Sequence, residues 1–407
     1  MENINIPNKY IKELLLHNDK YLSKIFNKEE YSNFIKATEN ISAKDNFKES
    51  VSAFVLLYAA HIKKQFQKTD HNYSEKLYGF ISNNDSKVKI YWGDCYKFLK
   101  QLPSESINLM ITSPPYYNAR DYSQWPDLNN YLEEMKTIIT ESYRVLDNNR
   151  VFVFNVGDIF DNDNLTVKSI WGKRRLPLGA YFIKIFEDCG FTFVDDFIWD
   201  KGEVQSERHK NGQTPYPFYE YPMNSYEHIL IFHKHRLDHT KYPCPVCGSL
   251  NVSKNSQPEI GLQSWECKNS GCTARSKGNR GKRYSLKSIM TQNEYLRKEN
   301  TISEELIKKW RKDIIKFSPV IKINSKGENK LGHTAPFPED IPEMAIKFYS
   351  YKGDIVLDPF AGSFTTAISA VKLGRIGIGC ELRKDLFEKA IKNNILRKSL
   401  LFEEYND

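Results

Sequence analysis

From residue 88 onward, short apolar runs alternate with stretches whose apolar positions return every three or four residues. VKIYWGD (88–94), INLMITS (107–113), RVFVFNVGD (150–158), FTFVDDFIWDK (191–201) and YEHILIFHK (226–234) have the length and the β-branched or aromatic content of strands. Helical spacing separates them around 96–101, over 127–146 and near 178–189. The rhythm stops at His235 and returns after Gly353 with DIVLDPFAGSFTTAISAVKLGRIGIGCEL, which reads as strand, loop, helix, strand. Strands alternating with helices predict an α/β fold whose largely parallel sheet carries helices on both faces.

Two regions fall outside that rhythm. Residues 1–85 read as helical: IKELLLHNDKYLSKIF places Ile11, Leu14, Leu15, Tyr21 and Leu22 on roughly one face, and residues 49–66 form a second, more buried helix. They carry no recognisable catalytic cluster, which suggests packing or a homodimer contact. Residues 235–330 read as an insertion. The expected organisation is thus an N-terminal helical region (1–85), a first core part (86–234), the insertion (235–330) and a second core part (331–407).

Two loops carry chemistry. INLMIT ends at Ser113-Pro114-Pro115-Tyr116, where consecutive prolines forbid both helix and ladder pairing, at the strand end where open α/β sheets bind ligands. In VLDPFAGSFTTA, Asp358 ends an apolar strand, Gly362 lies in the loop before a helix, and GIGCEL brings Glu381 to the end of the next strand. A glycine loop followed by an acid suits a nucleotide-like cofactor, with a plain tight strand–helix turn as the alternative. The spacing is not G-x-G-x-x-G, and no G-K-S/T is present, which excludes a P-loop.

These motifs resemble those of the β class of DNA amino-methyltransferases. DPFAGSFTT is similar to the family's S-adenosylmethionine motif DPFxGSGTT, with Phe364 in place of a glycine, and TSPPY is similar to its catalytic motif. The catalytic motif comes first, which is the permuted order of that class. The resemblance spans about 88–234 and 331–400. It implies a Rossmann-like fold with a mixed, mostly parallel seven-stranded sheet. It implies that Asp358, Phe360, Ala361, Gly362, Ser363, Thr365 and Glu381 bind the cofactor, with Asp94 at its adenine. LGHTAPFPED resembles the HPAxFP segment that covers the cofactor; it adds His333 and departs from the pattern at Thr334.

The catalytic residues implied are Ser113, Pro114, Pro115 and Tyr116. An exocyclic amine is a poor nucleophile because its lone pair is delocalised into the ring. Ser113 and a proline-held carbonyl can each accept one of its N–H groups, which favours a pyramidal nitrogen without a strong base. Tyr116 can stack on a base that has left the duplex. Tyr117 and Tyr122 either line that pocket or pack. The serine spelling is usual for cytosine-N4 in this family, with adenine-N6 as the close alternative. An inactive DNA-binding zinc protein with a degenerate core is the remote one.

Of seven cysteines, Cys95, Cys189 and Cys380 stand alone and read as buried small apolar residues. Cys244, Cys247, Cys267 and Cys272 are spaced C-x2-C, nineteen residues, C-x4-C, the pattern of a structural zinc ribbon, with a redox pair as the alternative. The formal net charge is +8, but 234–330 alone holds 21 Lys and Arg against 9 Asp and Glu. A basic segment on a nearly neutral body suggests a polyanionic partner, against the plainer reading of solvated surface. Arg275, Lys277, Arg280, Lys282 and Arg283 follow the cysteines and are suited to phosphates. They occupy the place where the β class carries its target-recognition region. Double-stranded DNA is the expected partner and a restriction endonuclease a companion activity. No apolar run approaches a membrane span and no secretory signal is legible, so the expected location is the cytoplasm.

Overall fold

The computed structural model describes residues 6, 8–41, 46–83, 86–117, 124–160, 175–202, 224–256, 261–275, 280–292, 294–317, 338–392 and 400–403. Helices α1 (Lys9–Ile25), α2 (Lys28–Glu39), α3 (Phe47–Asp70) and α4 (Glu75–Ser82) open the chain. Then come β1 (Val88–Trp92), α5 (Cys95–Lys100), β2 (Ile107–Thr112), α6 (Leu128–Val145), β3 (Leu146–Val156), β4 (Ile159–Phe160), β5 (Arg175–Leu176), α7 (Leu178–Asp188), β6 (Phe191–Asp200) and β7 (Tyr226–Lys234). The insertion holds β8 (Val252–Lys254), β9 (Trp265–Cys267), β10 (Arg283–Tyr284), α8 (Leu286–Gln292), α9 (Glu294–Glu299), α10 (Glu304–Trp310) and β11 (Ile314–Lys316). The chain continues with α11 (Asp340–Tyr349), β12 (Ile355–Asp358), α12 (Thr365–Lys372), β13 (Ile376–Glu381), α13 (Lys384–Ile391) and β14 (Leu400–Glu403). No described helix is long and apolar enough to cross a membrane.

The main sheet runs β11-β6-β7-β3-β2-β12-β13-β1-β14. Strand β7 lies antiparallel to β3 and β6, and the other pairs are parallel. The seven expected strands are its centre, and two short edge strands, β11 and β14, extend it to nine among the described residues. Period-two alternation divides the core. Phe152, Phe154, Leu230 and Phe232 face the layer of α5, α6 and α7, while Val151, Val153, Ile229 and Ile231 face that of α10 and α11. Phe186 stacks on Phe232 with ring centroids 3.8 Å apart.

The chain divides into two compact units whose limits differ from the sequence boundaries: 1–71 with 235–299, and 72–234 with 300–407. Helix α4 belongs to the sheet unit because Leu77, Phe80 and Ile81 enter its core and Lys89 of β1 donates to the Ile81 and Asn83 carbonyls. Trp310 and Ile315 place α10 and β11 there too. In the other unit, Ile11, Leu14, Phe34, Phe54 and Tyr58 of α1–α3 share one apolar cluster with Tyr242, Leu250, Trp265 and Tyr284. The N-terminal helices are therefore the apolar base of the cysteine-bearing insertion.

Candidate active site and cysteine cluster

Parallel neighbours β2 and β12 end side by side, and both chemically marked loops leave from those ends. Thr112 Oγ1 donates to Asp358 Oδ1 at 2.6 Å, pinning one loop to the other. Beyond Thr112, Pro114 is buried and Ser113, Pro115 and Tyr116 are half-buried. The buried Tyr131 of α6 donates its hydroxyl to the Pro115 carbonyl at 3.0 Å, so the tip is braced from below. Tyr117 is buried in the core at 5.8 Å from the Tyr131 ring and is a packing residue; Tyr122 lies outside the described residues.

Asp358 is 1% exposed. It accepts from Thr112, from the Phe360 N–H at 3.1 Å and from Thr366 Oγ1 at 2.7 Å. Burial pushes its carboxyl up to about 6 despite these three donors. It thus sits beneath the glycine loop and shapes it. Glu381, at the end of β13, accepts the Gly362 N–H at 2.8 Å on one oxygen and the Arg383 N–H at 2.7 Å on the other. Burial raises its carboxyl as well. Each oxygen accepts one backbone N–H here and has capacity for a second donor, the chemistry that vicinal hydroxyls offer. Ser363 and Thr365 exchange a hydroxyl hydrogen bond at 2.9 Å, and Ala361 N–H donates to the Cys380 carbonyl at 2.9 Å. Asp94 caps α5 through the Lys97 N–H at 2.9 Å, at the end of β1 where Gly93 N–H meets the Glu381 carbonyl. His333 lies outside the described residues.

Phe364 adopts φ 61°, ψ 26°, the left-handed conformation that a glycine would take without strain. Its ring does not enter the loop's mouth. It is fully buried with Val88, Ile90, Ala361, Ala367 and Phe387, and it occupies the space that Gly379 leaves by lacking a Cβ. The departure from DPFxGSGTT is thereby absorbed in the core.

Two residues that sequence reasoning did not assign, Glu227 and Lys201, join the tip. Tyr116 donates its phenol to Glu227 Oε2 at 2.9 Å, and its oxygen lies 3.4 Å from Ser113 Oγ. Glu227, on β7, is paired through its other oxygen with Lys201, just past β6. Burial, then the Glu227 charge, pushes the Tyr116 phenol well above its ordinary range. On the same strand, burial disfavours a charged His228, but Asp158 and Asp196 override it and hold the imidazole at about 9.

In the other unit the four Sγ atoms of Cys244, Cys247, Cys267 and Cys272 lie within 4.8 Å of one another, three of the residues buried and Cys247 half-buried. Cys247 Sγ and Cys267 Sγ are 3.7 Å apart, against the roughly 3.8 Å expected between thiolates on one tetrahedral zinc. The first knuckle is held by α1: buried Asn18 donates to the Gly248 carbonyl at 2.9 Å and accepts the Leu250 N–H at 2.7 Å. Asn269 Nδ2 donates to Cys247 Sγ at 3.6 Å. Of the basic run, Arg280 and Arg283 are exposed and Arg275 and Lys282 half-buried, while Lys277 lies outside the described residues. Arg283 pairs with Glu266 across β9 and β10 at 3.6 Å.

A glycine loop after one parallel strand, an acid ending the next, and a proline-stiffened tip bonded to the first of those strand ends thus lie together on a mostly parallel, Rossmann-like sheet. The family that shares this arrangement is settled by comparison. The chain belongs to the N6/N4 DNA methylase family, whose model matches residues 107–392. It is 37% identical over 372 residues to the type II beta methyltransferase M.BslI of Bacillus sp. (strain NEB-606), covering 90% of this chain and 34% of that protein. The chain therefore spans about a third of that relative's length. It is 26% identical over 328 residues to the type II methyltransferase M.MjaI of Methanocaldococcus jannaschii, covering 73% of this chain and 88% of that one. A Thermus thermophilus chain described as a DNA modification methylase, solved with S-adenosyl-L-methionine, has the same fold. It matches with a TM-score of 0.50 at 21% identity, over 79% of this chain and 100% of that one.

Proposed function

We propose that this chain is a site-specific DNA methyltransferase acting on the exocyclic N4 of a flipped cytosine in duplex DNA. The observation that carries the reading is the Thr112–Asp358 bond, which ties a Ser-Pro-Pro-Tyr tip to a glycine loop at adjacent strand ends. S-adenosylmethionine supplies an electrophilic methyl on a sulfonium. Glu381, through the unused capacity of its two oxygens, and the loop around Gly362 hold it, and Asp358 keeps that loop in shape. A backbone carbonyl of the proline-held tip accepts one amine N–H, and Ser113 Oγ accepts the other. Two acceptors on one nitrogen turn its lone pair out of conjugation and aim it. The base stacks on Tyr116, and the prolines remove competing tip conformations.

We assign a structural zinc to the four thiolates, because a closed four-cysteine cage leaves no vacant ligand position. The cysteine module, its helical base and Arg275, Arg280, Lys282 and Arg283 form the unit that meets duplex DNA. M.BslI and M.MjaI are named as type II methyltransferases, which supports a restriction endonuclease as the companion of this activity. Methylation-sensitive sequencing of DNA from cells expressing the chain tests the reading. N4-methylcytosine at one recurring sequence is the expected outcome, and N6-methyladenine would move the assignment to the other amino base. Unmodified DNA would overturn it.

A further inference from the structure

We infer that Glu227, anchored by Lys201, fixes the direction of the hydrogen bonds at the tip and thereby makes the pocket select an amino base over a keto base. The inference rests on the methyltransferase reading and assigns Glu227 as a positioning residue for it.

The argument is one of donors and acceptors. An ionised carboxylate only accepts, and Lys201 gives Glu227 its counter-charge. The Tyr116 phenol has a single proton, and it is committed to Glu227 Oε2 at 2.9 Å. Burial keeps that phenol protonated. Only lone pairs of the Tyr116 oxygen then face Ser113, 3.4 Å away, so the Ser113 hydroxyl spends its own proton on Tyr116. Ser113 is left presenting lone pairs to whatever enters the pocket. The chain has one polarity: base N–H to Ser113, Ser113 to Tyr116, Tyr116 to Glu227, with Lys201 closing it. An exocyclic amine meets an acceptor, whereas a carbonyl oxygen at the same position meets another oxygen's lone pairs. A serine hydroxyl alone would rotate to suit either group. The selection therefore originates in Glu227, 111 residues from Tyr116 in sequence.

The same geometry explains why Glu227 is buried at 9% exposure beside Gly157. A Cβ at position 157 would fall 2.9 Å from Glu227 Cγ and 3.3 Å from Tyr116 Cε2, so that glycine makes room for the pair.

The test uses the duplex that sequencing identifies as methylated, and a second duplex in which the target amine is replaced by a carbonyl oxygen (uracil for cytosine, hypoxanthine for adenine). Binding is measured with S-adenosylhomocysteine present. Wild type should prefer the amino duplex by about tenfold or more, because a site built for an N–H donor is left unpaired by its absence. In Glu227→Gln the amide can donate to the Tyr116 oxygen and release the phenol proton toward Ser113. The preference should then shrink at least about fivefold, with S-adenosylhomocysteine affinity within about twofold of wild type. Tyr116→Phe keeps the ring and removes the relay, so it should shrink the preference in the same way. It carries the test if Glu227→Gln does not fold. Both variants retaining the wild-type ratio would overturn the inference. So would a wild type that methylates DNA but binds the two duplexes equally, and that outcome leaves the methyltransferase reading intact. A wild type that methylates no duplex removes that reading instead.

Discussion

Replacing Gly379 with alanine puts a methyl group 2.8 Å from both Phe364 Cε1 and Ala361 Cβ, with Phe364 Cδ1 closer still. Neither neighbour has room to withdraw. Phe364 is fully buried against Phe387, and Ala361 is fixed by its N–H bond to the Cys380 carbonyl. Overpacking of this kind costs about 1–3 kcal/mol, or roughly 2–10 °C in the melting of a unit this size. Phe364→Gly alone forfeits a buried ring, a loss of about 3–5 kcal/mol. It also relieves a left-handed non-glycine residue, which returns about 1–2 kcal/mol. The two changes together should cost less than their sum, because the new methyl enters the space the ring has left. A coupling of about 1–3 kcal/mol between them is expected. Urea unfolding of the four proteins measures it, and calorimetry with S-adenosylmethionine reports whether the 361–364 loop has shifted. Additivity within about 0.5 kcal/mol would show that Gly379 and Phe364 do not share one space.

Asp358→Asn should gain stability relative to wild type as pH rises. The wild-type carboxyl is held at about 6, above its ordinary value near 3.8, so its contribution is fully present below pH 4 and is lost as pH passes 6. Urea unfolding should show the gap moving by roughly 1–1.5 kcal/mol between pH 5 and 7.5, and a pH-independent gap would refute the burial argument. Asn18→Ala removes both bonds to the first cysteine knuckle. It should cost about 2–3 kcal/mol in the unit formed by 1–71 and 235–299, and lower zinc content measured by elemental analysis; unchanged zinc and melting would detach α1 from the knuckle. Ser113→Ala should slow methyl transfer far more than it weakens S-adenosylmethionine binding; an equal fall in both, by single-turnover kinetics and calorimetry, contradicts its place at the amine. Changing Arg275, Arg280 and Arg283 together to Gln should flatten the salt dependence of DNA binding, and an unchanged slope makes the stretch solvated surface.

Local pattern carried the sheet well. The apolar runs VFVF and ILIF read as strands, and the structure shows why they are apolar throughout: each face of β3 and β7 is buried by its own helical layer. The helix read over 127–146 is α6, and the structure adds that Asp127 caps it. The residues 28–39 were not separated as a helix, since the interruption before them is only an Asn27 capping box. Glu227 was hidden because a polar residue in YEHILIF fits an ordinary alternating strand, and only the antiparallel placement of β7 brings it to Tyr116. The fit of Phe364 depended on a neighbouring strand. Its available signal was GIG in β13, since glycines two apart in an apolar strand mark close approach by something else. Gly377 in the same strand makes room for the Ala367 carbonyl of α12.

The shared core of α1–α3 and the cysteine module also sets a timetable for synthesis. Helices ending at Asp70 leave the ribosome long before Tyr242, Leu250, Trp265 and Tyr284 exist to cover Leu14, Phe54 and Tyr58. At about 5–20 residues per second the wait is roughly ten to forty seconds. Throughout it the nascent chain exposes an apolar helical surface while the strands of the sheet unit emerge. The helices therefore need a temporary cover during translation, whether a chaperone or one another.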